Sequence, residues 1–153
     1  MAIEHIVKLK TDSVEQFVEY LDKKLYHSCK NDIRQEEGSL REFDFSNEYI
    51  NVFINPEYPS AIEAAKKEYG VDINCCVSFH IVRGIDCNSE GAVSDFLKGI
   101  LKDLDGDILV CPKGDEPVVI RRAGKIIIDD DFFSIWFGEI LKRQFEESLR
   151  ELM

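Results

Sequence analysis

The sequence predicts an α+β protein, a largely antiparallel sheet with helices packed on one face, in the order β-α-ββ-α-β-α-βββ-α. Three observations predict it. Short stretches alternate apolar and polar residues, and between them lie stretches whose apolar residues fall three and four apart. Turn-forming pairs such as Asn55-Pro56 and Ala123-Gly124 end or join the strands, so hairpins dominate the connections. The 153 residues are 44% hydrophobic with ten phenylalanines, enough for one core, and no linker or internal repeat divides them. Residues 1–153 therefore read as a single domain.

The first strand lies in residues 2–10, with Ile3, His5, Val7 and Leu9 on one side. Asp12 followed by Glu15 forms a capping-box pattern, and Val14, Phe17, Val18, Leu21 and Leu25 continue at helical spacing. Residues 30–39 are polar and read as a loop. A pair of strands follows, one through Leu40, Phe43 and Phe45, the other from Tyr49 to Ile54. Ser60 with Glu63 suggests a second capping box, opening a short helix that Gly70 closes.

Residues 71–82 form the most regular alternation. Val71, Ile73, Cys75, Val77, Phe79 and Ile81 fall on one side, and Asp72, Asn74, Cys76, Ser78 and His80 on the other. A helix capped by Asn88 or Ser89 carries the stripe Val93, Phe96, Leu97, Ile100, Leu101 and Leu104, and Gly106 stops it. Strands at Ile108–Cys111, Val118–Arg121 and Lys125–Ile128 come next, the last two turning at Ala123-Gly124. Asp129, Asp130 and Asp131 then open a final helix bearing Trp136, where carboxylates suit the positive end of the helix dipole.

Composition narrows the function classes. The formal net charge is −11, distributed as −5, −3 and −3 over residues 1–58, 59–106 and 107–153. Such an evenly spread field repels nucleic acid and anionic membrane, and it speeds encounter with basic proteins. No apolar run approaches the ~20 residues that span a bilayer, and Met1-Ala2-Ile3-Glu4-His5 lacks the basic and apolar regions of a secretion signal. A cytoplasmic location is expected. Five cysteines without C-x-x-C spacing read as free, buried or half-buried thiols, and the side chains of Cys75 and Cys76 should point to opposite faces.

Chemistry-bearing residues are sparse. His80 lies on the polar side of its strand with Cys76 and Ser78, but neighbours two apart project in parallel and do not converge on one atom. His5 falls on the apolar side of the first strand. The Asp129-Asp130-Asp131 run could offer oxygen ligands to a cation, yet helix capping accounts for it without one. Arg121, Arg122 and Lys125 make a small basic spot at a hairpin tip, too isolated for nucleic-acid binding. No phosphate loop, nucleophile elbow or metal-ligand pair is present, and nothing calls for a cofactor.

The stretch from Val71 to Phe145 resembles the immunity proteins cognate to outer-membrane-exchange swarm-inhibition toxins, a polymorphic, contact-dependent class. The resemblance is carried by Val77-Ser78-Phe79-His80-Ile81, the helix through Phe96–Leu104, Gly106-Asp107-Ile108-Leu109-Val110, Val118-Val119-Ile120-Arg121-Arg122, Gly124-Lys125-Ile126-Ile127-Ile128 and the helix bearing Trp136. The opening strand Ile3–Leu9 is similar too. It implies a non-enzymatic binder that occludes the active site of a toxin domain, with no catalytic residue or cofactor. The acidity suits a basic toxin, such as a nuclease that must hold phosphate. Toxin contacts are expected at Asp72, Asn74 and His80 and around Asp115, Glu116, Asp129 and Asp130. Two other classes stay open: an acidic chaperone or adaptor for a basic client, and a small enzyme using His80.

Overall fold

The computed structural model describes residues 3–24, 30–34, 42–46, 50–81, 89–112, 116–129, 142–144, 146–147 and 150. In chain order the elements are β1 (Ile3–Leu9), α1 (Val14–Lys24), β2 (Lys30–Arg34), β3 (Glu42–Ser46), β4 (Ile50–Pro56) and α2 (Pro59–Tyr69). They continue as β5 (Cys75–Ile81), α3 (Ser89–Asp103), β6 (Ile108–Pro112), β7 (Val119–Arg122) and β8 (Lys125–Ile128). Residues 142–144 and 146–147 are helical, as expected for the last element, whereas Asp130, Asp131 and Trp136 lie outside the described residues.

Among the described residues all eight strands join one sheet, ordered β2-β3-β4-β5-β1-β6-β7-β8, and every pairing is antiparallel. The first strand in sequence is therefore central, flanked by β5 and β6. Its alternation decides both cores. His5, Val7 and Leu9 are buried on one face, while Glu4, Ile6 and Lys8 are half-buried on the other.

On the first face, Val7 and Leu9 join Val52, Ile54, Cys75, Val77, Phe79, Ile108 and Val110 in one cluster. Among the described residues two helices cover it. From α1 come Phe17, Val18 and Leu21, and from α3 come Leu97, Ile100 and Leu101. Both sets recur every three to four residues, the stripe that an amphipathic helix lays on a sheet. Phe79 stacks on Phe96 with ring centroids 5.9 Å apart. Each such side chain removed from water contributes about 1.5–3 kcal/mol.

The expected one-faced packing holds for α1 and α3 but not for α2. Ala65, with half-buried Ile62 and Tyr69, packs against Ile6, Leu109, Cys111 and Ile120 on the opposite face. Val71 and Ile73 join this second cluster, whereas Cys75, Val77 and Phe79 belong to the first. The long alternation at 71–82 is thus two segments serving two cores. The break comes at Asn74. Its N–H donates to the Leu9 carbonyl (3.0 Å), and its side chain accepts from the Thr11 N–H (3.0 Å) and donates to the Thr11 carbonyl (2.8 Å).

Other departures are local. Residues 30–34 form an edge strand where the sequence reads as a loop. Lys30-Asn31-Asp32-Ile33-Arg34 has one strong strand former, so its order comes from the ladder with β3. Helix α1 is capped by Ser13 and not Asp12: the Ser13 Oγ accepts from the Gln16 N–H at 3.0 Å. Helix α2 starts at Pro59 behind an extended Tyr58 without a side-chain cap, so Ser60 sits inside its first turn and Glu63 beyond it, and the two form no capping box. Its end follows expectation, with Gly70 left-handed at φ 69° and donating to the Lys66 carbonyl. The β7–β8 hairpin turns on Ala123 (φ 49°) and Gly124 (φ 82°), both left-handed as a type I′ turn requires.

Candidate binding site at the acidic end of the sheet

Because β1 and β6 are antiparallel neighbours, the chain leaving β1 through Lys10-Thr11-Asp12 meets the chain entering β6 through Asp105-Gly106-Asp107. The Lys10 N–H donates to the Asp107 carbonyl at 3.0 Å. Gly106 allows this approach. A Cβ there would stand 2.7 Å from the Lys10 carbonyl oxygen, so its absence of a side chain, and not a left-handed turn, is what the site uses. The two connections, with the start of α1 and the end of α3, enclose a cleft of about 310 Å³.

Asp12, Asp103 and Asp105 line this cleft together with Lys10, Gln16 and Tyr20. The Tyr20 hydroxyl donates to Asp103 Oδ2 at 2.7 Å. Burial first, and then the Asp103 carboxylate, raise the Tyr20 pKa well above the ordinary phenol value, so the hydroxyl stays a donor. Asp107 binds three segments together: its Oδ2 accepts from the Asp72 N–H (2.9 Å), its Oδ1 from the Ala123 N–H (3.1 Å), and its carbonyl from Lys10. The exposed Asp72 carboxylate lies 3.7 Å from Lys10 Nζ. Five carboxylates from three separate stretches of chain, at Asp12, at Asp72 and at Asp103 to Asp107, therefore share one end of the molecule.

Beneath them lies Arg121, only 6% exposed. Its Nε donates to the Gly106 carbonyl and one terminal nitrogen to the Leu101 carbonyl, both at 2.8 Å, so it satisfies the C-terminal end of α3 and the loop that follows. Burial lowers its pKa, while Asp105 and Asp107 oppose that shift. Arg122, one residue on, faces the other side of the sheet and donates to the Tyr69 carbonyl at the end of α2 (2.9 Å). The basic spot read from sequence is thus two helix-end clamps pointing apart, one of them internal.

The expected toxin contacts are dispersed. Asp72 stands at the acidic end, but the Asn74 amide is committed to the Thr11 backbone. His80 is 3.6 Å from Glu4, its register partner on β1, and meets Phe53 edge-on with centroids 4.7 Å apart. Glu116 accepts from the Tyr69 hydroxyl at 3.0 Å, near the mouth of a second cleft of about 300 Å³ between α2 and the sheet. Asp129 is exposed just after β8, and Asp115 and Asp130 lie outside the described residues. Asp12, Asp103 and Asp105 were not among the expected contacts. The spacing Asp103-x-Asp105-Gly106-Asp107 was their one signal, and it reads more simply as the end of a helix.

The side chains that could support nucleophilic chemistry are held in quiet states. Cys75, Cys76 and Cys111 are free thiols. Burial pushes Cys75 up to about 12 and Cys76 and Cys111 to about 11, which leaves little thiolate at neutral pH. Cys29 and Cys87 lie outside the described residues. His5 is fully buried. Among the described residues no three His, Cys, Asp or Glu side chains group as metal ligands, and no helix is long and apolar enough to cross a membrane. Compared with protein-family models, curated proteins and solved structures, the chain finds no match in any of the three.

Proposed function

We propose that this chain is an immunity protein, which binds a basic bacterial toxin domain and neutralises it by occluding the toxin's active site. The observation that carries the reading is the acidic end of the sheet, where Asp12, Asp103 and Asp105 line one cleft with Asp72 and Asp107 beside it. Carboxylates on exposed connections raise the encounter rate with a cationic surface and set its orientation. A nuclease fits as the target, since a site that holds phosphate presents lysine and arginine. The raised thiols and the dispersed polar residues of β5 favour binding over catalysis.

The test is co-expression of the toxin domain encoded beside this chain, with and without the protein, in a sensitive strain. Protection and a complex on mixing are expected, with an association rate that falls as salt rises. Asp12→Lys and Asp105→Lys should slow association, and Glu63→Lys on α2 should not. Equal killing with and without the protein, and no complex, would overturn the reading. A complex without protection would replace it with an adaptor.

A further inference from the structure

Among the described residues the sheet ends at two edge strands, β2 and β8, and they differ in kind. The β2 edge, Lys30-Asn31-Asp32-Ile33-Arg34, carries three charges in five residues, a common guard against strand addition. The β8 edge, Lys125-Ile126-Ile127-Ile128, carries three consecutive isoleucines and then Asp129. Ile127 is 51% exposed, although isoleucine is among the residues most often buried.

The register shows which backbone groups this edge offers. Arg122 and Lys125 flank the two-residue turn, so they form a hydrogen-bonded pair. The pattern repeats every second residue, at Ile120 with Ile127 and at the Asp129 N–H donating to the Val118 carbonyl (2.8 Å). Lys125, Ile127 and Asp129 therefore bond inward to β7. The N–H and C=O groups of Ile126 and Ile128 point out of the sheet.

We infer that β8 is the dimerisation edge of this protein, pairing antiparallel with β8 of a second copy about a two-fold axis at Ile127. With the axis there, Ile126 stands opposite Ile128 of the second copy, and both offer outward N–H and C=O groups. Each such pair exchanges two hydrogen bonds, and the symmetry supplies two pairs. Ile127 meets its own copy as a non-hydrogen-bonded pair, the closer of the two antiparallel spacings, at roughly 4.5 Å between Cα atoms. Lys125 faces Asp129 of the second copy, and Asp129 faces its Lys125, so charge is complementary at both ends. Ile120, the inward register partner of Ile127, extends the apolar contact on that face. The segment Lys-Ile-Ile-Ile-Asp is self-complementary in antiparallel pairing and in no parallel one.

The test needs only the chain itself, so its outcome is independent of any toxin. Sedimentation equilibrium across a concentration series should show the mass rising from that of one chain towards twice that value. Ile127→Lys, at an exposed position, should leave the far-ultraviolet spectrum unchanged and hold the protein monomeric. Lys125→Asp alone, and Asp129→Lys alone, place like charges opposite each other at both ends and should weaken the dimer about tenfold. The double reversal Lys125→Asp with Asp129→Lys should restore it. Ile127→Cys should form a covalent dimer under mild oxidation that the wild-type chain does not form. A single-chain mass at every concentration, or a dimer indifferent to these substitutions, would overturn the proposal.

Discussion

Replacing Arg121 by methionine tests how the two layers are held at the acidic end. Methionine retains much of the aliphatic stem and removes the guanidinium fork, leaving the carbonyls of Leu101 and Gly106 without their donors. A hydrogen bond to a charged group contributes about 1.5–3 kcal/mol, and a buried carbonyl left unsatisfied costs its full desolvation. Two such bonds set an upper range near 3–6 kcal/mol. Relief from burying a charge offsets part of this, so the expected net loss is about 3 kcal/mol. For a chain of this size that lowers the melting temperature by roughly 6–12 °C. Arg122→Met is the internal control. It loses one exposed bond to the Tyr69 carbonyl and should cost about 0.5–1 kcal/mol. Urea unfolding of both variants against wild type, fitted for midpoint and slope, measures the difference. If Arg121→Met loses no more than Arg122→Met at unchanged slope, the buried guanidinium is not what closes the end of α3.

Two further outcomes follow from the same geometry. Gly106→Ala would place a methyl group 2.7 Å from the Lys10 carbonyl oxygen and 2.9 Å from its Cβ, so backbone must move. A loss of about 1–3 kcal/mol by thermal unfolding is expected, and unchanged stability would show that the two connections are not in contact. The thiols predict alkaline sensitivity. Their folded values, about 12 for Cys75 and about 11 for Cys76 and Cys111, lie above the ordinary value of 9.0, so the folded chain keeps protons that the unfolded chain releases. Their contribution is fully present below pH 9 and is lost as pH rises through the folded values. Urea midpoints at pH 7, 9 and 10.5 should fall over the last interval, and Cys75→Ala should flatten the fall. A midpoint constant to pH 10.5 would contradict the burial of these groups.

Where one pattern dominates, the sequence is a reliable guide. The α3 stripe reports a single buried face, the alternation of β1 separates its fully buried side from its half-buried one, and the Ala123-Gly124 turn marks its hairpin directly. Legibility fails where two causes produce one pattern. Residues 71–81 alternate throughout, yet Val71 and Ile73 serve one core while Cys75, Val77 and Phe79 serve the other, because Asn74 ties the chain to Thr11 between them. Edge strand β2 escapes because its ladder hydrogen bonds are made by backbone, which carries no residue signal. The acidic cleft escapes for a different reason. Asp12 and Asp105 are 93 positions apart and meet only because β6 is laid beside β1, a choice of neighbour that local periodicity does not encode.

The two arginines of β7 also act on pairing accuracy. A strand's register is ordinarily fixed by having one greasy side and one wet side, and Ile126-Ile127-Ile128 has no such contrast. Slid by one residue, β8 would present isoleucine to both faces as before. The two-residue turn ties β8 to its partner strand, so the alignment of β7 decides that of the whole hairpin. In the native alignment Arg121 reaches the end of a helix on one face and Arg122 the end of a helix on the other. A one-residue shift of β7 would send the internal guanidinium towards solvent and the external one into the apolar layer, away from both carbonyls. The adjacent pair works as a two-pin key, admitting one alignment for a hairpin whose outer strand accepts several.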